Sequence, residues 1–220
     1  STKLKIAAAV AAAVLLSACS SPKHEPMPLV NFTPSMEVTE VWSKGLSSAE
    51  GFLVPAVYDD MVFAAGGKTL TRLNARTGET EWSVSFDSPI TGGVGSDGYV
   101  TAVGLWDGNL EVVDAGGKVS WEKKLTTELA SPPVVSHGLV IARTMDTRVS
   151  AFEASSGELQ WTYQKSQPAL TVRLPTRMLA HDNFLLVGQP NGHNVILDIA
   201  SGEPVFEFQV DQAKGVTEVE

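Results

Sequence analysis

Four of the five tryptophans stand at Trp42, Trp82, Trp121 and Trp161, spaced 40, 39 and 40 residues apart, and Phe206 takes the next place 45 residues on. A large ring returning at so constant an interval restricts the chain to stacked copies of one supersecondary unit. The residues leading into each ring agree. Thr77-Gly78-Glu79-Thr80-Glu81 precedes Trp82, Gly116-Gly117-Lys118-Val119-Ser120 precedes Trp121, Ser156-Gly157-Glu158-Leu159-Gln160 precedes Trp161, and Ser201-Gly202-Glu203-Pro204-Val205 precedes Phe206. Each begins as a glycine turn. Just upstream lie Leu73-Asn74-Ala75, Val113-Asp114-Ala115, Phe152-Glu153-Ala154 and Leu197-Asp198-Ile199, whose central oxygen-bearing side chain could bond the turn backbone.

Two further turn signals recur in every unit. One is Asp59-Asp60, Asp97-Gly98, His137-Gly138 and Asp182-Asn183; the other is Gly66-Gly67, Asp107-Gly108, Asp146-Thr147 and Asn191-Gly192. Such pairs tolerate the positive φ of tight hairpins. Short β-rich runs such as Leu139-Val140-Ile141-Ala142 and Phe184-Leu185-Leu186-Val187 fill the intervals, and nothing after residue 36 has the 3.6-residue period of a capped helix. Three turns per unit make four strands. The expected fold is therefore all-β, a propeller of four-stranded antiparallel blades at about 51–86, 90–125, 131–165 and 175–210, with a solenoid or sandwich as the alternative. One further strand, Val38 to Trp42, carries a rung without the three strands that precede every other rung. It reads as an orphan closing strand of a ring completed by a longer chain, with about four blades present in 37–220.

Composition narrows the function. The chain carries 25 Asp+Glu against 16 Lys+Arg, a net charge of −9, which argues against a sequence-independent nucleic-acid binder, because that affinity comes from cations neutralising phosphates. Its single cysteine, Cys19, rules out an intrachain disulfide framework, a zinc knuckle or a CxxC pair.

The N-terminus reads as an address. Lys3 and Lys5 precede the apolar run Ile6 to Leu16 and then Leu16-Ser17-Ala18-Cys19. A membrane-crossing helix needs about 20 apolar residues, which this run lacks, so a transmembrane anchor is the weaker reading. The tetrapeptide resembles a bacterial lipobox. That resemblance implies a signal peptide over 1–18, lipid on Cys19 as the mature N-terminus and, with Ser20 following, sorting to the outer membrane on its periplasmic face. Residues 19–36, with Pro22, Pro26, Pro28 and Pro34, read as a tether.

The [ST]-G-E-x-x-W unit resembles the propeller repeat of quinoprotein dehydrogenases. Together with the lipobox and the tether it is similar to the propeller lipoproteins of the outer-membrane β-barrel assembly machinery, which are eight-bladed. Pro168-Ala169-Leu170-Thr171-Val172-Arg173 resembles the Pro-x-Leu-x-Leu-Arg loop of that family. The resemblance implies a non-enzymatic scaffold that docks on the POTRA domains of BamA, the barrel-inserting subunit, through Leu170, Val172 and Arg173. The residues point to the same loop independently, since the Trp161-to-Phe206 interval is the longest and its insertion sets apolar side chains beside one arginine, a composition favoured at interface hot spots. Leu170 and Val172 could instead open the inner strand of the next blade.

Chemistry is sparse. The alternative function, a fragment of a quinone-dependent dehydrogenase, lacks a recognisable adjacent-cysteine pair, and no cofactor is expected. Asp146, Asp182 and Asp198 occupy turn positions, with calcium there as a minor alternative. Gly93-Val94-Gly95-Ser96-Asp97-Gly98 matches GxGxxG, yet a strand follows it where a dinucleotide site needs a helix. His137 and His181 read as turn residues. Trp106, off the ladder, is expected on the same face as the 166–174 loop, extending a docking surface or covering a blade edge.

Overall fold

The computed structural model describes residues 36, 38–47, 53–165, 177–189 and 192–210. The chain divides into two compact units, residues 1–39 and 40–220, and nearly all described residues belong to the second. No α-helix occurs among them. Sixteen strands form four antiparallel sheets, each a simple meander. The first blade comprises β1 (Ala56–Tyr58), β2 (Met61–Gly66), β3 (Thr69–Asn74) and β4 (Thr80–Ser85), and the second β5 (Ile90–Ser96), β6 (Val100–Leu105), β7 (Asn109–Asp114) and β8 (Val119–Lys124). The third holds β9 (Val134–Ser136), β10 (Leu139–Arg143), β11 (Val149–Glu153) and β12 (Leu159–Tyr163), and the fourth β13 (Leu179–His181), β14 (Phe184–Gly188), β15 (His193–Asp198) and β16 (Pro204–Gln209).

The turn chemistry explains the meander. Positive φ falls at Asp59, Gly98, His137 and Asp182 in the first turn of each blade, at Gly67, Gly108, Thr147 and Gly192 in the second, and at Gly78, Gly117, Gly157 and Gly202 in the third. Asn74, Asp114 and Asp198 act as expected: Asn74 Oδ1 accepts from the Arg76 and Thr77 amides, Asp114 Oδ1 from Gly116 and Lys118, and Asp198 Oδ1 from Ser201. Every blade also has a β-bulge at the same register, at Arg72/Leu73, Val112/Val113, Ala151/Phe152 and Ile196/Leu197, just before the rung residue of the outer strand. The bulge strengthens the local twist.

The core lies between sheets. Phe63 and Leu70 of the first blade pack with Ile90, Val103 and Val113 of the second. Leu110 and Val112 pack with Val140 and Phe152 of the third, and Ile141 and Val149 with Leu185, Val195 and Leu197 of the fourth. The four sheets thus stand as successive blades of a partial propeller. The extra strand expected at Val38 to Trp42 is not formed; the described residues there have no strand partner, and an isolated strand has no ladder to hold it. Trp42 nevertheless occupies its rung, donating Nε1–H to the Ala75 carbonyl at 2.9 Å.

Candidate interaction face

Each rung ring reaches forward to the next blade. Trp82 Nε1 donates to Ala115 O at 3.0 Å, Trp121 to Ala154 O at 2.8 Å, and Trp161 to Ile199 O at 2.8 Å. The same rings lie over the turn glycines, so that a methyl on Gly78, Gly117, Gly157 or Gly202 would fall 2.4–2.8 Å from the indole of the preceding blade. The tripeptide that closes each third strand therefore has two tasks: its middle side chain ties the turn, and the carbonyl of its last residue receives the indole. Arg72 adds to the first joint, pairing with Glu81 at 2.6 Å and donating to Ala115 O at 3.1 Å.

Alternate connections open on opposite faces. The β2–β3 type of turn and the links between blades share one, here termed the link face. Trp106 lies on it, in the β6–β7 turn, 62% exposed, its amide bonded to Pro89 O. Lys165 and Arg177, which flank residues 166–176, stand at the ends of this same kind of link. Leu170, Val172 and Arg173, like Cys19, lie outside the described residues. Near the propeller axis a pocket of about 530 Å³ opens among the first residues of the inner strands and their links, lined by Val54, Thr91, Leu129, Ser131, Met145 and Arg177 among others.

Two of the turn carboxylates, Asp146 and Asp198, bond within their own turns. Asp146 accepts from the Thr144 hydroxyl and pairs loosely with Arg148 at 3.9 Å, and no group of three ligands able to hold a metal occurs among the described residues. The GxGxxG stretch is the β5–β6 hairpin, and His137 and His181 sit at the β9–β10 and β13–β14 turns.

One feature escaped the sequence reading. Glu111, on the central strand β7, is 7% exposed and directly opposite Glu122 on β8, on the sheet face that packs against the first blade. Burial, then the charge and hydrogen bond of Glu122, then Asp107 and Asp87, push its carboxyl from 4.5 up to about 7. A lone Glu inside Leu110-Glu111-Val112-Val113 was the available signal. Because the folded state holds a proton that the unfolded chain gives up near 4.5, this pair stabilises the fold fully below that value, and the contribution is lost as pH rises through about 7. Glu111→Gln should therefore leave melting unchanged near pH 4 and stabilise the protein at pH 8 by about 1–2 kcal/mol. Parallel wild-type and variant melting curves across that range would refute the pairing.

The sequence comparisons bear on the same unit. Residues 66–220 match the family described as outer membrane protein assembly factor BamB. The chain belongs to the BamB family. The BamB of Burkholderia pseudomallei is 38% identical over 219 residues, covering 97% of this chain and 58% of the relative; that of Bordetella pertussis is 31% identical over 212 residues, covering 93% and 55%. The crystal structure of BamB from Moraxella catarrhalis superposes with a TM-score of 0.65 at 28% identity, over 76% of this chain and 51% of that one. The chain thus spans little more than half the length of these BamB relatives. Phe206, 59% exposed on β16, is a rung with no following blade among the described residues.

Proposed function

We propose that this chain is the N-terminal part of a lipid-anchored scaffold of the outer-membrane β-barrel assembly machinery, which assists insertion of outer-membrane proteins without catalysing a covalent reaction. Lipid on Cys19 would hold it to the periplasmic face of the outer membrane, with residues 19–36 as the tether. Its link face would dock on the POTRA domains of BamA, Leu170 and Val172 giving desolvated contacts and Arg173 a charge-assisted hydrogen bond. The observation that carries this reading is the convergence on one face of an exposed indole at Trp106, an open pocket, and the two ends of the 166–176 link.

A single fractionation and co-purification experiment on the full-length protein tests it. Arg173→Glu should abolish recovery of BamA while the circular-dichroism spectrum is unchanged, and Cys19→Ser should move the protein from the membrane to the soluble fraction. Retained BamA binding by Arg173→Glu would remove this loop from the interface, and a membrane-bound Cys19→Ser would remove the lipid anchor.

A further inference from the structure

The three joints between the described blades follow one plan, and the middle joint departs from it. Two places after each rung, on the same face of the outer strand, stand Val84 in the first joint and Tyr163 in the third, both packed against the apolar clusters there, and Lys123 in the second. The facing sheet meets this residue with one cross-strand pair: Glu111 with Glu122 in the first joint, Ser150 with Thr162 in the second and Val195 with Glu207 in the third. In the third joint the carboxylate is used, because Lys165 of the third blade crosses to bond Glu207 of the fourth. In the second, a lysine meets a threonine at that place.

The exchange leaves space as well as charge. With Ala142, Ser150 and Thr162 where the second blade has Val103, Glu111 and Glu122, the second joint keeps a cleft of about 320 Å³. Lys123, Lys124 and Arg148 line it and no Asp or Glu does, in a chain whose net charge is −9. Lys123 makes no hydrogen bond or ion pair with another described residue. Lys124 donates to a neutral acceptor, the Asp107 carbonyl, and Arg148 has the loose contact with Asp146 at 3.9 Å. These groups can be reached from solvent: Lys124 and Thr162 are exposed, and Lys123 and Arg148 partly so. Ser150 and Thr162 share one hydrogen bond at 3.3 Å, which uses one of their two hydroxyl protons and leaves the other to donate.

We propose that this cleft binds a phosphate group carried on a small organic body, held by Lys123, Lys124, Arg148 and the Thr162 hydroxyl. A phosphate monoester carries about −1.5 to −2 charges near neutral pH and three acceptor oxygens, which answers three cations better than the single charge of a carboxylate. Leu125 and Leu159, the latter 54% exposed, also line the cleft and take the organic part. The bound anion does for the second joint what Glu207 does for the third: it gives a lysine of one blade a negative partner against the next, so occupancy ties the two blades together. Binding here needs no partner protein and is independent of the docking reading.

Calorimetric titration of the full-length protein with phenyl phosphate, and with acetate at the same ionic strength, tests the site. Phenyl phosphate should bind saturably, raise the melting temperature and bind at least about tenfold more tightly than acetate. Lys123→Met, which keeps the apolar stem and deletes the charge, should weaken that binding by about tenfold or more with the fold intact. Thr162→Glu rebuilds the carboxylate of the third joint, and should abolish phenyl phosphate binding while the free protein melts at or above the wild-type temperature. Should Thr162→Glu lose thermal stability, Lys123→Met decides the question. Absence of saturable binding, acetate binding as tightly as phenyl phosphate, or a Lys123→Met protein that binds like wild type would overturn the site. Phosphatidic acid vesicles added as competitor distinguish the source of the phosphate: displacement of phenyl phosphate assigns the cleft to lipid headgroups, and no displacement assigns it to soluble esters.

Discussion

Gly95→Ala should destabilise this protein severely. Gly95 lies on β5, the inner strand of the second blade, and a Cβ there would sit 2.0 Å from the Pro133 carbonyl oxygen and 2.8 Å from its carbon. Both are backbone atoms at the entry to β9, so no rotamer change relieves the clash; the inner strands of two blades must separate. Overpacking of this kind costs about 3 kcal/mol or more, equivalent to a fall in melting temperature of roughly 6–12 °C for a domain of this size. Gly116→Ala is the matched control, because its nearest neighbour would be one Asp114 carboxylate oxygen at 3.3 Å. A Gly95→Ala protein melting with the control would show that these inner strands do not approach so closely.

Trp161→Ala carries the second large effect. Trp161 is the most enclosed rung, 9% exposed, packed with Ile141, Leu185 and Leu197, and its Nε1–H satisfies Ile199 O. Truncating a buried tryptophan costs about 3–5 kcal/mol, and the orphaned carbonyl adds to it. Trp161→Phe keeps most of the ring and loses chiefly the hydrogen bond, about 1 kcal/mol. Trp82, whose ring is more exposed, should lose less than Trp161 on the same truncation. Equal losses at the two positions would mean that the rings do not act through inter-blade burial.

The fold was legible because its determinants are local and repeated. Each turn pair that tolerates positive φ, from Asp59 to Gly202, can be read within two or three residues, and the Trp interval fixes the length of the unit. The forward hydrogen bond was not legible. Leu73-Asn74-Ala75 and its counterparts advertise the turn-binding side chain, whereas the carbonyl that receives the indole is a backbone atom common to every residue. The strand expected at Val38 to Trp42 failed for a related reason: a rung residue marks a position in the stack, but a strand exists only when a neighbour supplies its ladder.

The site was less legible than the fold. Trp106 could be assigned to its face from connectivity alone, since alternate turns must open on opposite sides. The axial pocket could not, because Thr91 comes from β5 and Ser131 and Arg177 from two separate links, 40 and 46 residues further on in turn, and each looks like an ordinary polar residue in isolation. Glu111 lies between these cases. Its apolar neighbours in sequence mark it as buried, but only the register of β7 with β8 sets Glu122 opposite it.

The direction of the indole contacts also governs how the molecule can be made. Every rung binds a turn about 33 to 38 residues later in the chain, so as the polypeptide leaves the ribosome a finished sheet waits for its latch until the following one has emerged. At synthesis rates of about 5–20 residues per second, each nascent blade spends some seconds with an aromatic flank uncovered. The exported precursor proposed above would gain from that delay, because a chain to be threaded through a translocation channel is better kept unlatched until its far end has been supplied.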